Sequence, residues 1–468
     1  MKIRDLIQAT DGNIKEYGGV NLETDVTIST DTRTIKKGDF YLPLKGASFD
    51  GEKFISQAIE KGAVGSFCTE IPPRIAKTEV TELLPHPSPL PAGEGVKACF
   101  IQVPDTLTAY LQLANYRRNK LNPTVVAITG SSGKTTTKEL VASVLSEKYK
   151  TFKTPLNHNN EIGFCQTIFE TPDDTEVLVL EMGMRGLGEI ELLSKYSEPD
   201  ITIISNVGTA HIGRLGSREN IAKAKCEIVK HQRGNVFIAH DDELIKNTVE
   251  FNGEKIYYSL KDVKILEKTA QYSKFEYQNN IYELNVGGNY NIENALSAIN
   301  AGSKLGLTIE QIQKGLKKYK PIEKRWEAVK VNINGNDINI INDSYNANPE
   351  SMRAFIDTIF EHYKNYTVIL GDMGELGVNE IKYHTELGEY IDNKSNLDTS
   401  AKVISIGTLS KNITDNITKC ETKHFNTIED AVIYLQKNTE KGSNIFLKAS
   451  RSMKFEKIIE FFCNTIKL

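Results

Sequence analysis

The chain has 468 residues, and at roughly 150 residues per domain this is enough for about three domains that each bury a core. Its 57 lysines and arginines against 61 aspartates and glutamates give a net charge of −4, which argues against a nucleic-acid-binding surface because such surfaces are basic. No apolar run approaches the roughly 20 residues that span a bilayer, and the start Met1-Lys2-Ile3-Arg4-Asp5 lacks a signal-peptide pattern, so we expect a cytoplasmic protein.

Residues 1–122 are predicted to form a small α/β domain that contains several polar segments. These segments are Ser29-Thr30-Asp31-Thr32-Arg33, Gly38-Asp39, Leu44-Lys45-Gly46 and Asp50-Gly51. On their residues alone, ordinary turns between strands explain them as well as a binding site does. Residues 85–95 are rich in proline, which favours an extended and exposed conformation. We expect an insertion over about residues 77–97 that has no chemical role.

A phosphate-binding loop is predicted at the start of a second domain, residues 123–320. An apolar strand over 124–128 leads into Thr129-Gly130-Ser131-Ser132-Gly133-Lys134-Thr135-Thr136, and a helical pattern over 139–149 follows. In that setting backbone N–H groups and the helix N-terminus bind phosphate oxygens, Lys134 adds a positive charge, and the Thr135 hydroxyl is a ligand for Mg²⁺. Ile128 stands where the usual pattern has a glycine, so an incidental Gly-Ser turn is the alternative.

The rest of the second domain alternates strands and helices. Short apolar strands are predicted at 177–180, 201–205 and 236–239, which is typical of a parallel α/β sheet. Glu181 follows the first of them and His211 lies a few residues past the second. Since ligands bind at the carboxyl ends of parallel strands, both side chains are candidates to hold Mg²⁺ with Thr135. A solvated strand-end carboxylate and a structural histidine are the alternatives.

Lys225 lies on the apolar face of a predicted helix. In the segment 221–230, Ile221, Ala224 and Ile228 share one helical face, and Lys225 falls within it. A buried lysine is unfavourable unless it is paired or chemically modified. The alternative is a stem that packs on the core while the ammonium reaches water.

A polar segment at 317–321 separates a third domain, residues 321–468. A hairpin is predicted from strands at 329–333 and 338–341 around Asn334-Gly335, and further strands at 368–370, 403–406 and 445–447 alternate with helices. We therefore expect an α/β protein of three domains: a small N-terminal α/β domain, a central phosphate-loop domain with a parallel sheet, and a C-terminal Rossmann-like domain.

Five motifs together resemble the Mur ligase family of ATP-dependent enzymes that form amide bonds, and they occur in the order of that family. They are the phosphate loop, the Glu181 segment, the His211 segment, Gly288-Asn289-Tyr290-Asn291-Ile292-Glu293-Asn294-Ala295, and Asp343-Ser344-Tyr345-Asn346-Ala347-Asn348-Pro349. The resemblance covers nearly the whole chain except about 77–97. Three segments favour the branch that adds D-alanyl-D-alanine: Thr154-Pro155, Asn159-Asn160-Glu161-Ile162-Gly163, and the sequence of residues 344–349. The Asp-Asn-Pro-Arg tetrapeptide of the branch that adds the third residue is not in the sequence.

The resemblance implies an activity and its substrates. The enzyme would join D-alanyl-D-alanine to the terminal carboxylate of a UDP-N-acetylmuramoyl-tripeptide through an acyl phosphate, using ATP and Mg²⁺. Its partners would be these small molecules, with no nucleic acid or membrane insertion, and we expect a monomer. The alternatives are a Mur-type ligase that adds a single amino acid, a folylpolyglutamate-type synthetase, which lacks such a UDP-binding domain, and a nucleotide-dependent switch.

The resemblance also implies roles for individual residues. Catalytic roles fall to Lys134, Lys225 and His211. ATP contacts fall to Gly130, Ser131, Ser132, Gly133, Lys134, Thr135, Thr136, Asn291, Asn294, Arg325, Asp343 and Asn346. Metal ligands would be Thr135, Glu181, His211 and Lys225, the last as a carbamate, which several family members carry in a matching context. UDP-substrate contacts fall to Ser29, Thr30, Asp31, Arg33, Lys45, Gly46, Asp50, Gly51, Asn159 and Asn160. Dipeptide contacts fall to Asp372, Glu375, His384 and Arg451.

Overall fold

The computed structural model describes residues 1–17, 19–46, 49–71, 98–155, 158–269, 271–321, 325–333, 335–394, 400–439 and 442–464. The insertion predicted around residues 77–97 lies outside these ranges. The chain forms two compact units, Met1–Asn122 with Glu161–Thr171, and Pro123–Asn160 with Pro172–Leu468.

The first unit is built on a five-stranded sheet in which one edge strand is antiparallel and the others are parallel. In sheet order the strands are Asn13–Tyr17, Ala98–Gln102, Gly65–Cys68, Phe40–Tyr41 and Ile28–Ser29. The remaining elements are the ribbon Lys45–Gly46 and Phe49–Asp50, the 3-10 turn Gly51–Phe54, and the helices Ile3–Thr10, Ile55–Glu60, Thr106–Leu121 and Glu161–Glu170. Tyr41, Ile55 and Phe100 are buried in its own core, as expected of an independent α/β domain.

The helix Glu161–Glu170 groups with the first unit, although the chain on both sides of it belongs to the second. The rings of Tyr110 and Phe169 stack with centroids 5.6 Å apart, and the Arg117 guanidinium donates to the carbonyl oxygen of Thr171 at 2.9 Å. By its position in the sequence this segment is predicted to lie in the middle domain, because position along the chain does not reveal which neighbour a helix packs against.

The sheet of the middle domain is parallel, as predicted, and it has six strands, two more than the sequence indicated. In sheet order they are Glu254–Tyr258, Val236–His240, Ile201–Ile204, Thr124–Thr129, Val177–Glu181 and Thr151–Lys153. The helices are Lys134–Leu145, Glu189–Ser197, Ile212–Leu215, Arg218–Cys226, Glu243–Thr248, Asn289–Lys304 and Ile309–Lys318, with 3-10 turns at Glu227–Val229 and Leu260–Asp262. The helix after the loop begins at Lys134, earlier than the predicted 139–149, because Gly133 precedes it directly in the left-handed conformation.

A three-stranded antiparallel sheet in the middle domain is absent from the sequence-based prediction. Its strands are Val263–Lys268, Ser273–Tyr277 and Asn280–Leu284. Phe275 and Tyr282 are buried in the same core as the helix Lys134–Leu145. The turn at Gln278 and Asn279 uses positive φ angles of 51° and 62°, which suit a tight hairpin.

The third domain is a six-stranded sheet with an antiparallel hairpin at one edge. In sheet order the strands are Glu327–Ile333, Asn336–Asn342, Asn444–Lys448, Tyr366–Gly371, Lys402–Ile406 and Glu421–Phe425. The helices are Pro349–His362, Glu380–Asp392, Lys411–Thr414, Ile428–Asn438 and Glu456–Asn464, with 3-10 turns at Gly377–Asn379 and Arg451–Met453. Apolar cores cover both faces, so the predicted hairpin and Rossmann-like layering are confirmed. Across all described ranges, no helix is both long and apolar enough to cross a bilayer.

Candidate active site

The predicted phosphate loop joins the strand Thr124–Thr129 to the helix Lys134–Leu145. Gly133 has a φ of +76°, and a Cβ at this position would lie 2.5 Å from Oδ1 of Asn294. A Cβ on Gly130 would lie 1.9 Å from Oγ of Ser205. Ile128, at the place of the usual first glycine, is a fully buried strand residue. The loop is therefore shaped by Gly130 and Gly133, with no need for glycine at 128.

Asn206 fixes the first half of the loop. Its carbonyl oxygen accepts from the Ser131 N–H at 3.1 Å, and its side-chain oxygen accepts from the Ser132 N–H at 3.0 Å. These two amides are thus occupied within the protein. The N–H groups of the first helical turn, which follows Gly133, have no acceptor within their helix and point to the phosphate position.

Lys134 is folded back over the loop and half-buried. Its Nζ donates to the carbonyl oxygen of Gly130 at 2.8 Å. Burial lowers the pKa of this lysine. The positive charge of Arg325 lowers the pKa further, whereas the negative charge of Glu181 raises it. An anion placed over the loop would restore a favourable environment for the ammonium.

Glu181 and Thr135 come together as the metal-site hypothesis requires. Glu181 is the last residue of its strand and is 4% exposed. Its Oε1 accepts from the Thr135 hydroxyl at 3.2 Å and from Nδ2 of Asn159 at 3.1 Å. Its Oε2 accepts no hydrogen bond from the residues that the structure describes. One buried carboxylate oxygen beside a threonine hydroxyl is therefore available to a hard cation.

Lys138 is part of this cluster and was missed by sequence analysis. Its side chain is 1% exposed, and Nζ lies 3.6 Å from Oε2 of Glu181 while donating to the carbonyl oxygen of Thr154 at 2.8 Å. Lys138 stands one helical turn after Lys134 and Thr135, which is the signal that could have revealed it.

His211 contacts Glu375 of the third domain. It has a φ of +67°, directly before the helix Ile212–Leu215, and its Nδ1 forms a short ion-pair contact with the Glu375 carboxylate. The hydrogen bond from His211 is the main reason why the pKa of Glu375 is lowered. Within the described ranges, no group of three or more His, Cys, Asp or Glu side chains is arranged to hold a metal. A metal-binding role for His211 stays a prediction.

The middle and third domains also meet on both sides of His211. The Glu350 carboxylate accepts from the Thr209 N–H at 2.9 Å and from the Thr209 hydroxyl at 3.0 Å. The Gly213 N–H donates to the carbonyl oxygen of Glu375 at 3.1 Å. A Cβ on Gly213 would lie 2.5 Å from the backbone nitrogen of Gly377. The two domains thus touch backbone to backbone at this point.

Lys225 is buried in the middle domain, on the helix Arg218–Cys226, and is 1% exposed. Burial holds its pKa well below the usual range, and the charge of Lys134 lowers it further. Among the residues that the structure describes, its ammonium has no hydrogen-bond or ion-pair partner. A stem that packs while the ammonium reaches solvent does not fit this exposure.

Asn291 and Asn294 lie on the helix Asn289–Lys304 and are buried. Nδ2 of Asn291 donates to the carbonyl oxygen of Gly287 at 2.6 Å. Oδ1 of Asn294 accepts from the Thr137 hydroxyl at 3.1 Å and lies against Gly133. Asn294 therefore braces the predicted ATP-contact helix directly against the phosphate loop.

Arg325 brings the third domain to the loop. Its Nη2 donates to the Thr135 hydroxyl at 3.0 Å, and its guanidinium lies 4.2 Å from the centroid of the Tyr345 ring. Sequence analysis predicts that Arg325 contacts the nucleotide, and in the structure this side chain reaches the same hydroxyl as Glu181. The second and third domains thus contribute charged side chains to one position.

Three family models match the chain in succession: Mur ligase family, catalytic domain (residues 26–118), Mur ligase middle domain (128–302), and Mur ligase, glutamate ligase domain (324–451). The chain is 36% identical to the UDP-N-acetylmuramoyl-tripeptide–D-alanyl-D-alanine ligase of Bacillus subtilis (strain 168), with 92% of each chain covered. The chain belongs to the Mur ligase family.

Solved structures agree with this assignment. The structure of this Mur ligase is similar to that of MurF from Acinetobacter baumannii, with a TM-score of 0.83, 27% identity, and 99% of this chain and 98% of that chain covered. It is also similar to MurF ligase from Thermotoga maritima in complex with ADP, with a TM-score of 0.78, 25% identity, and 94% and 98% coverage. The three-domain α/β architecture is therefore that of the family.

Lys448 organises two of the residues predicted to contact the nucleotide in this Mur ligase. It is 3% exposed, and its Nζ donates to Oδ2 of Asp343 at 2.7 Å and to the carbonyl oxygen of Asn346 at 3.1 Å. Sequence analysis did not single out Lys448, since its last-strand position gives no sign of these partners. The lysine holds the 343–346 segment beside Arg325.

Two residues predicted to contact the dipeptide already bond to the protein backbone. The Asp372 carboxylate accepts from the Ser410 N–H at 2.7 Å. His384 is fully buried, Nε2 accepts from the Met373 N–H at 2.9 Å, and Nδ1 lies 2.7 Å from the carbonyl oxygen of Glu380. Both ring nitrogens of His384 and Oδ1 of Asp372 are therefore engaged by the backbone, which leaves Oδ2 of Asp372 as the polar atom of this pair without a hydrogen bond to the described backbone.

The side chains of the other two residues predicted to contact the dipeptide, Glu375 and Arg451, contact other side chains. Glu375 contacts His211, as described above. Arg451 is exposed, and its guanidinium lies 5.7 Å from the centroid of the Tyr345 ring. Arg325 and Arg451 thus both lie over the Tyr345 ring, so Arg451 contacts the segment that carries the predicted nucleotide residues.

The residues predicted to contact the UDP end form two turns of the first unit. In one, the Arg33 guanidinium makes a bidentate contact with Asp31 at 2.7 and 3.0 Å, which lowers the Asp31 pKa to about 2. Ser29 donates to the carbonyl oxygen of Asp31 at 3.2 Å, and Thr30 is half-buried beside it.

In the other turn, Lys45 pairs with Asp50 across a ribbon whose second pair is Gly46 with Phe49. The Gly51 N–H donates to the carbonyl oxygen of Leu44 at 2.9 Å. Asn159 instead belongs to the second unit, where it bonds Glu181, and Asn160 next to it is exposed.

Proposed function

We propose that this Mur ligase joins D-alanyl-D-alanine to the terminal carboxylate of a UDP-N-acetylmuramoyl-tripeptide and converts ATP to ADP and phosphate. The observation that carries the proposal is the convergence of the phosphate loop, Glu181 and Arg325 on the Thr135 hydroxyl. The names of the relatives support the choice of substrates. The product would be a peptidoglycan precursor.

The first chemical step activates a poor acyl donor. An oxygen of the tripeptide carboxylate attacks the γ-phosphorus of ATP, the bond to the β,γ-bridging oxygen breaks, and ADP leaves. The amides of the first helical turn and the Lys134 ammonium stabilise the transferring phosphoryl group. Arg325, which reaches the Thr135 hydroxyl from the third domain, would balance the charge that develops on the oxygens of the phosphoryl group.

The second step forms the amide. The free amine of D-alanyl-D-alanine attacks the acyl carbon, the tetrahedral oxyanion collapses, phosphate leaves, and the ammonium loses a proton. Contacts between the second and third domains, such as Thr209 with Glu350, would keep water from the acyl phosphate. The protein would act by positioning and electrostatics, without a covalent enzyme intermediate.

The donor set around Thr135 fits a magnesium ion. The Thr135 hydroxyl and Oε2 of Glu181, which accepts no hydrogen bond from the described residues but lies 3.6 Å from the Lys138 ammonium, would hold it, since hard cations prefer such oxygens. When bound, the ion would neutralise phosphate charge. Nε2 of His211 could join these ligands while Nδ1 stays in contact with Glu375, because a ligating imidazole commonly has a carboxylate on its other ring nitrogen.

We further propose that Lys225 is carbamylated. Its neutral Nζ would attack carbon dioxide, forming an N–C bond with loss of a proton, and the product is an anion with two oxygens. Support comes from a lysine that is 1% exposed and has no partner among the described residues. An anion near Lys134 would also remove the repulsion between the two ammonium groups.

Carbamylation has two independent tests. Lys225→Ala should lose most activity and recover part of it with added short carboxylates, whereas Lys223→Ala, an exposed lysine on the same helix, should stay active. The intact protein, measured under carbon dioxide, should gain the mass of one carbon dioxide at Lys225. Near-normal activity of Lys225→Ala would contradict the proposal.

The ligase proposal is tested by phosphate release. Phosphate should appear only when ATP, the UDP-tripeptide and D-alanyl-D-alanine are all present, and D-alanyl-D-alanine should be used far better than D-alanine or diaminopimelate. A preference for a single amino acid would assign the enzyme to another branch of the Mur ligase family. Turnover of ATP without either substrate would favour a nucleotide-dependent switch. We also propose that the enzyme works as a cytoplasmic monomer.

A further inference from the structure

Most arginines in the described ranges have a partner for the guanidinium group. The partners are carboxylates, carbonyl or hydroxyl oxygens, an amide oxygen or an aromatic ring, at Arg4, Arg33, Arg117, Arg118, Arg218, Arg233, Arg325, Arg353 and Arg451. Arg185 and Arg214 differ. Within the part of the chain that the structure describes, neither guanidinium has a hydrogen bond, an ion pair or a ring contact, and both side chains are exposed.

These two arginines flank the phosphate loop. Arg185 lies four residues beyond the end of the strand Val177–Glu181, and Arg214 lies in the helix that follows the strand Ile201–Ile204. These strands are the two neighbours of Thr124–Thr129 in the sheet, one on each side. Both arginines therefore lie at the carboxyl-end rim of the sheet, where parallel α/β sheets bind ligands.

Both arginines act electrostatically on Glu375 of the third domain. Its carbonyl oxygen accepts from Gly213, next to Arg214, and its carboxylate contacts His211. After the hydrogen bond from His211, the charges of Arg214 and Arg185 also lower the Glu375 pKa. The carboxylate of Glu375 is thus already engaged by His211, and neither guanidinium forms an ion pair with it.

Given the proposed function, these two guanidinium groups are available to an anion other than the nucleotide phosphates, which the loop and Lys134 account for. D-alanyl-D-alanine carries one carboxylate that takes no part in the reaction, at the end opposite its attacking amine. Arginine is the side chain best suited to hold a carboxylate, through two parallel N–H donors.

We propose that Arg185 and Arg214 bind the free carboxylate of the incoming dipeptide and so determine its length. An extended dipeptide spans roughly 7 Å, so its amine reaches the acyl phosphate at the loop while its carboxylate rests at the rim. A single amino acid has both groups on one carbon and cannot satisfy both positions. The arginines would therefore select a dipeptide over free D-alanine.

The test measures the KM for each substrate in Arg185→Gln and Arg214→Gln, with Arg4→Gln, a surface arginine paired with Glu23, as the matched control. The KM for D-alanyl-D-alanine should rise about tenfold or more, as expected for the loss of a charged hydrogen bond. The KM values for ATP and the UDP-tripeptide should stay within about twofold. Arg185→Lys, which keeps the charge without the fork, should show a smaller rise.

A dipeptide with a carboxamide end separates the possible outcomes. For the wild-type enzyme, the KM for this carboxamide should be as high as the KM of the arginine variants for D-alanyl-D-alanine. In the variants, replacing the carboxylate by a carboxamide should raise the KM no further. A KM that rises only for the UDP-tripeptide would assign the arginines to that substrate and overturn the proposal, as would unchanged KM values. If the wild-type enzyme fails to ligate any dipeptide, the proposed function itself is wrong.

Discussion

Removing the Glu350 carboxylate should uncouple the third domain from the nucleotide loop. Glu350 is the second residue of the helix Pro349–His362, and it accepts two hydrogen bonds from Thr209 in the middle domain. Arg325 reaches Thr135 only while these two domains stay in contact. Weakening the Glu350 contact should therefore lower activity, although Glu350 itself touches no reacting group.

The size of the effect follows from the two bonds. A hydrogen bond to a charged group contributes about 1.5–3 kcal/mol, and the lower end applies because Glu350 is half-buried. Glu350→Ala loses both bonds, about 3 kcal/mol, and Glu350→Gln, which keeps an acceptor but loses the charge, about 1.5 kcal/mol. Since about 1.4 kcal/mol corresponds to a tenfold change, kcat/KM for ATP should fall about 100-fold in Glu350→Ala and about tenfold in Glu350→Gln.

Steady-state ligation at varied ATP measures this directly. Glu386→Gln, which removes a carboxylate that pairs with Arg353 inside the third domain, is the matched control and should keep wild-type kinetics. Thermal unfolding checks that each variant is folded. If folded Glu350→Ala keeps kcat/KM within about twofold of the wild-type value, the contact does not support the active arrangement.

Three further outcomes are expected. Lys134→Ala should lower ligation about 1000-fold or more while the unfolding temperature stays unchanged, and ligation within about tenfold of wild type would remove the loop assignment. Gly133→Ala should destabilise the middle domain by about 1–2 kcal/mol, because alanine is strained at a positive φ and its Cβ meets Asn294; an unchanged unfolding temperature would contradict this. Glu181→Gln should raise the Mg²⁺ concentration for half-maximal phosphate release about tenfold, since one charged ligand is lost, and an unshifted magnesium titration would count against Glu181 as a ligand.

The sequence was sufficient for elements whose signal is local. The strand Thr124–Thr129 is a continuous apolar run that ends in a glycine-rich turn, so both its burial and the loop that follows could be predicted. The hairpin Glu327–Ile333 and Asn336–Asn342 was predictable from a turn dipeptide between apolar strands. The antiparallel strands between Val263 and Leu284 were missed because they are short, strongly polar and joined by turns without glycine.

Side-chain partners depend on contacts between distant segments, and these were not predictable. Lys138, Lys448 and Glu350 look like ordinary charged residues on helices or strands. Yet Lys138 and Lys448 each contact a residue of the candidate site, and Glu350 bonds Thr209, two residues before His211. The sequence pointed to His211 as a metal ligand but gave no sign of its contact with Glu375, more than 160 residues further along the chain.

The backbone contact between Gly213 and Gly377 limits how this enzyme can vary. Wherever side chains meet, a larger residue on one side can be offset by a smaller one opposite. Here both partners are already the smallest residue, and Gly377 also needs its φ of +62°. A substitution at either position acts as a wedge that no change at the other can relieve, so the two glycines must be retained together for the domains to meet.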